Sequence, residues 1–138
     1  MLRGELWLMV PGLGLRSLAD LKANPAELDN FSDEGRVDPN GALGLTDEVE
    51  YVMVEDVLSG STQFFLDELP DLLQAGQGGT YDFRSGPEQT SVTVDDGVAT
   101  IIGYDDSEIE TPVDDLAAVL AKLGAEYAEI LKMLGAGG

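Results

Sequence analysis

The chain has no His and no Cys. Those two absences exclude much chemistry. Without Cys there is no disulfide framework of the kind that marks small secreted scaffolds. Ser-His-Asp, Cys-His and imidazole acid–base mechanisms have no members to draw on. Zinc, haem and iron–sulfur sites lose their usual ligands. A metal could be held only by oxygen, which favours Ca²⁺, Mg²⁺ or Mn²⁺. Cations are scarce as well: seven Lys and Arg stand against 27 Asp and Glu, for a net charge of −20. Such a field repels the phosphates of nucleic acid and anionic membrane surfaces, so neither is an expected partner. There is a single Trp. No apolar run approaches the length of a membrane span.

What is present points to a folded domain. The 138 residues are 43% hydrophobic, too apolar for a disordered chain of this charge. That length suits one domain over 1–138, with a core that needs no staples. The opening MLRGELWLMV is stopped by Pro11-Gly12. It is too short for a cleaved leader, so a cytoplasmic location is expected.

The first apolar run, Glu5 to Val10, reads as a strand. Ser17 with Asp20 three residues later predicts a capping box and a short helix. Asn24-Pro25 predicts another helical start. Residues 32–47, SDEGRVDPNGALGLTD, read as a long loop because Asp, Gly, Pro and Asn dominate. VEYVMVEDV (49–57) reads as a strand. STQFFL (61–66) reads as another, with Ser59-Gly60 as the turn. Pro70 argues against one continuous helix here and suits the first turn of a short helix over 69–74.

Thr80–Arg84, Thr90–Val94, Val98–Tyr104 and Glu108–Glu110 read as strands of a meander. Asp96-Gly97 is a hairpin signal, since both residue types tolerate left-handed backbone. Thr111, Pro112 and Asp114 predict a helix start. Apolar residues then recur at three- and four-residue spacing to Leu134. Gly124 is expected to allow close packing on the sheet, and 135–138 to form a flexible tail. The fold class expected is α+β: one two-layer domain, an antiparallel meander sheet packed against a long C-terminal helix plus short helices.

Three Asp-Asp pairs punctuate this region: Asp95-Asp96, Asp105-Asp106 and Asp114-Asp115. The first two fall in turns and the third in a first helical turn, where the helix dipole favours negative charge. Turns at successive strand ends of a meander lie at opposite ends of the sheet. The pairs are therefore not expected to converge on a metal, and no calcium-loop spacing is present. Pro11-Gly12-Leu13-Gly14 lacks the third glycine and the Lys of phosphate-binding loops and reads as a turn. Neither a metal nor any other cofactor is expected, and no catalytic residue is assigned.

The leading expectation is a non-enzymatic binding protein that neutralises or sequesters a basic protein partner, because dense negative charge steers a cationic target. Bacterial immunity proteins, which inhibit toxins, are similar in general character: small, acidic, α+β and without catalytic residues. Nucleic-acid mimics of phages share the acidity. The likeness is one of type and rests on no motif. The candidate contact residues are Glu48, Glu50, Glu55, Asp56, Asp105, Asp106, Glu108 and Glu110. One alternative is an acidic housekeeping or scaffold domain whose charge serves solubility. A second is a hydrolase built on oxygen-bound cations or paired carboxylates, which predicts a carboxyl of raised pKa in a cleft.

Overall fold

The computed structural model describes residues 1–136. The chain is a mixed α+β domain with one continuous core. Its strands form two antiparallel four-stranded sheets rather than the single meander expected. The first sheet has the order β2-β1-β3-β4, built from Arg3–Val10 (β1), Gly14–Ser17 (β2), Asn40–Thr46 (β3) and Tyr51–Val57 (β4). The second is the expected meander of Gly79–Asp82 (β5), Gln89–Asp95 (β6), Val98–Ile102 (β7) and Glu108–Pro112 (β8).

Alternation sets the faces of the first sheet. Leu6, Leu8 and Val10 of β1 pair in register with Leu43 and Gly41 of β3 and with Gly14 of β2, all on the inner face. Val52 and Val54 of β4 continue that face and are buried. The outer face carries Trp7, Met9, Tyr51, Met53 and Glu55. In the second sheet Val92, Ala99, Ile101 and Ile109 point inward.

Residues 32–47 are not a loop. Ser32 caps the short helix Asp33–Val37 (α2), its hydroxyl accepting from the Gly35 amide at 3.1 Å. Asn40–Thr46 is the buried centre of the first sheet. Its glycines answer to neighbours, not to flexibility. A side chain at Gly41 would collide with the Trp7 carbonyl, and one at Gly44 with the rings of Tyr51 and Trp7.

The STQFFL segment is helical rather than a strand. Leu58–Thr62 (α3), a π-helical stretch Gln63–Glu68 and Leu69–Gln74 (α4) run on as one helical segment. Pro70 is tolerated because the turn before it is widened: the Leu69 amide donates back five residues to the Phe64 carbonyl. A π turn changes which carbonyl faces the proline ring. Burying Phe64, Phe65 and Leu69 on one side then outweighs the β-propensity of the aromatics.

Leu18–Ala23 (α1) has the capping box expected of Ser17 and Asp20. Pro25–Asn30 is a 3₁₀ turn in which the Asn24 side chain caps nothing. The last helix, Val113–Ala136 (α5), begins later than expected. Thr111 is a buried strand residue paired with Ala99, and the Val113 amide donates to the Gly97 carbonyl. α5 buries Leu116, Leu120, Leu123, Ile130 and Leu134. The glycine that lets it approach the sheet is Gly4, where a side chain would strike Val119 and Leu123; Gly124 faces open space. Gly135 and Ala136 continue the helix instead of opening a tail, and residues 137 and 138 lie outside the described residues. No helix among the described residues is long and apolar enough to cross a membrane.

Candidate partner-binding face

β4 lies across one end of the second sheet. Near its start, Val52 packs at Gly103, just after β7. Near its finish, Asp56 reaches the segment after β5. By the antiparallel order, the β5–β6 loop and the β7–β8 turn share this end. The β6–β7 turn and the start of α5 share the other. We refer to the first as the junction end.

Asp56 is the fastening of this junction, and the expectation that it contacts a partner is corrected here. It is 4% exposed. Its carboxylate accepts from the Tyr81 hydroxyl, from the Arg84 amide at 2.7 Å and from the Ser85 amide at 3.1 Å. Burial pushes its pKa up, but these hydrogen bonds outweigh burial and hold the carboxyl below the usual range. Burial and the neighbouring carboxylate push the Tyr81 phenol well up. The sequence did carry a signal for this: in VMVED the alternation that buries Val52 and Val54 puts Asp56 on the same face.

The other candidate residues are exposed. Glu48 and Glu50 occupy the β3–β4 turn, with Glu48 in left-handed backbone at φ 85°. Asp47 organises that turn by accepting from the Val49 and Glu50 amides at 3.0 and 2.8 Å. The same bonds, that from Glu50 first, lower its pKa. Asp105 and Asp106 form the β7–β8 turn. Asp105 accepts from the Ser107 hydroxyl and amide, which lowers its pKa, and Asp106 sits at φ 66°. Glu108 follows at the start of β8, and Glu55 stands on the outer face of β4. Glu48 and Glu50 stand just before β4, Asp105, Asp106 and Glu108 lie in or just after the β7–β8 turn, and Glu55 lies beside Phe83 and Ser85 of the loop after β5. Glu110 lies farther along β8, toward the opposite end.

Sequence reasoning missed what lies beside Glu55. A cavity of about 210 Å³ opens at the junction, lined by Met53, Glu55, Phe83, Ser85, Glu88 and Tyr104. The Phe83 and Tyr104 rings meet edge to face, with centroids 5.9 Å apart. Tyr104 stays 55% exposed. A second hollow, sharing Glu55 and Ser85, runs toward Met9 and Asn40. No local pattern in the sequence joins Phe83 to Tyr104: the meander order brings their loops to one end, and the crossing of the sheets adds Met53 and Glu55 of β4.

Charge is divided along the chain. From Val37 to Ala121 there are nineteen acidic residues and one basic residue, Arg84. The remaining six cations belong to the two terminal segments, and most are engaged. Arg16 pairs with Glu27 at 3.0 Å, Lys22 with Glu129 at 2.9 Å and Lys122 with Glu126 at 3.7 Å. Arg36 donates to the Leu28 and Leu134 carbonyls. Arg84 is directed away from the cavity, toward the Ser59 hydroxyl and over Gly60.

Among the described residues no three acidic side chains converge as metal ligands would. The carboxyls displaced from their ordinary pKa are Asp20, Asp47, Asp56 and Asp105, and all move down. A general acid at neutral pH needs the opposite shift. No known protein family, curated protein or solved structure matches the chain.

Proposed function

We propose that this chain is a non-enzymatic binding protein that neutralises or sequesters a basic partner protein, in the manner of an immunity-type inhibitor, and that it does so through the junction end. The observation that carries the reading is the sorting of charge. Six of the seven cations lie outside residues 37–121, four of them engaged with partners of their own, and residues 37–121 carry nineteen acids against one base. An acidity that served only solvation needs no such sorting. A focused negative surface raises the on-rate of a cationic protein and rejects anionic ones. The aromatic and thioether groups at the same end supply the apolar contact that charge alone lacks. Glu48, Glu50, Glu55, Asp105, Asp106 and Glu108 form the acidic rim, Glu110 extends it along β8, and Asp56 serves beneath it.

The test is affinity capture from the native host at low and high salt, followed by purification of whatever is retained and titration of the purified pair. A basic protein that binds one to one, more weakly as salt rises, and loses its own activity in the complex is the expected result. Retention of only abundant basic proteins, all released by modest salt, would leave the acidity without a specific partner and return the chain to the housekeeping reading.

A further inference from the structure

We infer that the junction cavity is a receptor for an arginine side chain presented by the basic partner. This rests on the proposed function for its biological source, but the pocket's preference is a property of this chain alone.

The size fits one side chain better than a metabolite. At about 210 Å³ the cavity is below the usual range for small-molecule sites. Its walls are unlike each other. Phe83 and Tyr104 offer aromatic surface and Met53 a polarisable thioether, while Glu55 and Glu88 bring two carboxylates. No Lys or Arg lines it. A planar cation that is weakly hydrated, stacks on rings and bonds carboxylates through a fork of N–H groups matches all three features. That is guanidinium. An ammonium group is more strongly hydrated and lacks the flat face.

Two details show the pocket is shaped. Glu88 folds back so that its carboxylate lies over Gly86. The β5–β6 loop is closed under it by the Phe83 amide donating to the Glu88 carbonyl at 3.0 Å. Tyr104 is kept at the surface with its ring braced on Phe83. The other hollows lack this combination. The one beside Tyr51 is lined by Arg3 and Lys122, and the one at the start of α5 has no aromatic wall.

The probe is Nα-acetyl-arginine amide, titrated into the ¹⁵N-labelled full chain and followed by amide shifts. The lysine and citrulline amides serve as comparators. Saturable shifts at Glu55, Ser85, Glu88 and Tyr104, strongest for arginine and absent for the uncharged citrulline, are expected. Tyr104→Ala and Glu88→Gln alter exposed side chains, and spectral dispersion reports whether each variant is folded. Each should weaken the probe about tenfold, the scale of one lost cation–π or charged hydrogen bond, with Asp95→Asn unchanged. Shifts spread evenly over every acidic turn without saturation, equal binding of citrulline, or folded variants that bind as well as the parent would each overturn the assignment. Failure of the host capture with success here removes the partner reading and leaves the pocket. A genuine partner whose affinity ignores Tyr104 and Glu88 does the reverse.

Discussion

The two ends of the second sheet carry similar acidity and differ in everything else. At the end formed by the β6–β7 turn and the start of α5, Asp95, Asp96, Asp114 and Asp115 stand on regular structure. Asp96 and Gly97 hold the two left-handed positions of a hairpin turn, at φ 50° and 77°. Asp114 and Asp115 sit in a first helical turn. Each has a local reason to be there, and the hollow beside them has no aromatic wall. At the junction end, carboxylates meet Phe83, Tyr104 and Met53 around a cavity, and one more carboxylate is buried beneath. Negative charge by itself therefore does not mark a site in this protein. The proposed site is instead where charge stands beside the exposed Tyr104 ring, over a fastened crossing of two sheets.

The largest expected effect is at Asp56. Asp56→Ala leaves the Tyr81 hydroxyl and two amides without their acceptor, which costs about 3 kcal/mol in urea unfolding. Glu55→Ala, one residue away but exposed, should stay within about 0.5 kcal/mol. Equal losses at the two positions would show that Asp56 is no fastening. The same group sets an acid limit. A carboxyl whose folded pKa is depressed contributes stability that is complete above its unfolded value, near 4, and is lost as pH falls toward the folded value. Asp56→Asn should flatten that acid limb in unfolding midpoints measured from neutral pH downward. An unchanged limb assigns the acid sensitivity to other carboxylates.

At the far end the glycine, not the acid, should matter. Gly97→Ala places a Cβ at φ 77° and costs about 1–2 kcal/mol, whereas Asp95→Asn is nearly neutral in the same melt. The contrast sharpens in binding. Once a partner is purified, Tyr104→Ala should weaken it about tenfold, and the double change Asp95→Asn with Asp96→Asn less than about twofold. A reversal of those two numbers by calorimetry would move the interface to the far end. The smallest effect is global. Added salt screens the self-repulsion of a net charge of −20, so the melting temperature should rise modestly between low and physiological ionic strength. A fall would mean that the helical-flank ion pairs dominate instead.

Much of this could be read from the residues. The Ser17 and Asp20 box, the Asp96-Gly97 hairpin, the meander after Gly79 and the long apolar spacing of the last helix are local signals, and each element is there. The failures share one cause. NGALGLT reads as a loop because its glycines suggest freedom, yet Gly41 and Gly44 are small to admit Trp7 and Tyr51 from neighbouring strands. QFFL reads as a strand because aromatic residues favour one, yet a widened turn lets it continue into a helix through Pro70. Thr111 reads as a cap and is instead buried by its pairing with Ala99. The acidic rim was legible as charge. The pocket was not, because Met53 and Glu55 of the first sheet meet Phe83, Glu88 and Tyr104 of the second only where the two sheets cross.

Trp7, the one tryptophan, lies half-buried on the outer face of the first sheet, its ring over Gly44 beside Tyr51. The molecule thus keeps its only indole fluorophore outside the core, on the sheet face that also presents Met53 and Glu55 to the junction cavity. Its emission reports the wetness of that face. A partner that spreads across the first sheet dries the indole and shifts its emission to the blue. The colour of one side chain therefore reports whether a footprint covers that sheet.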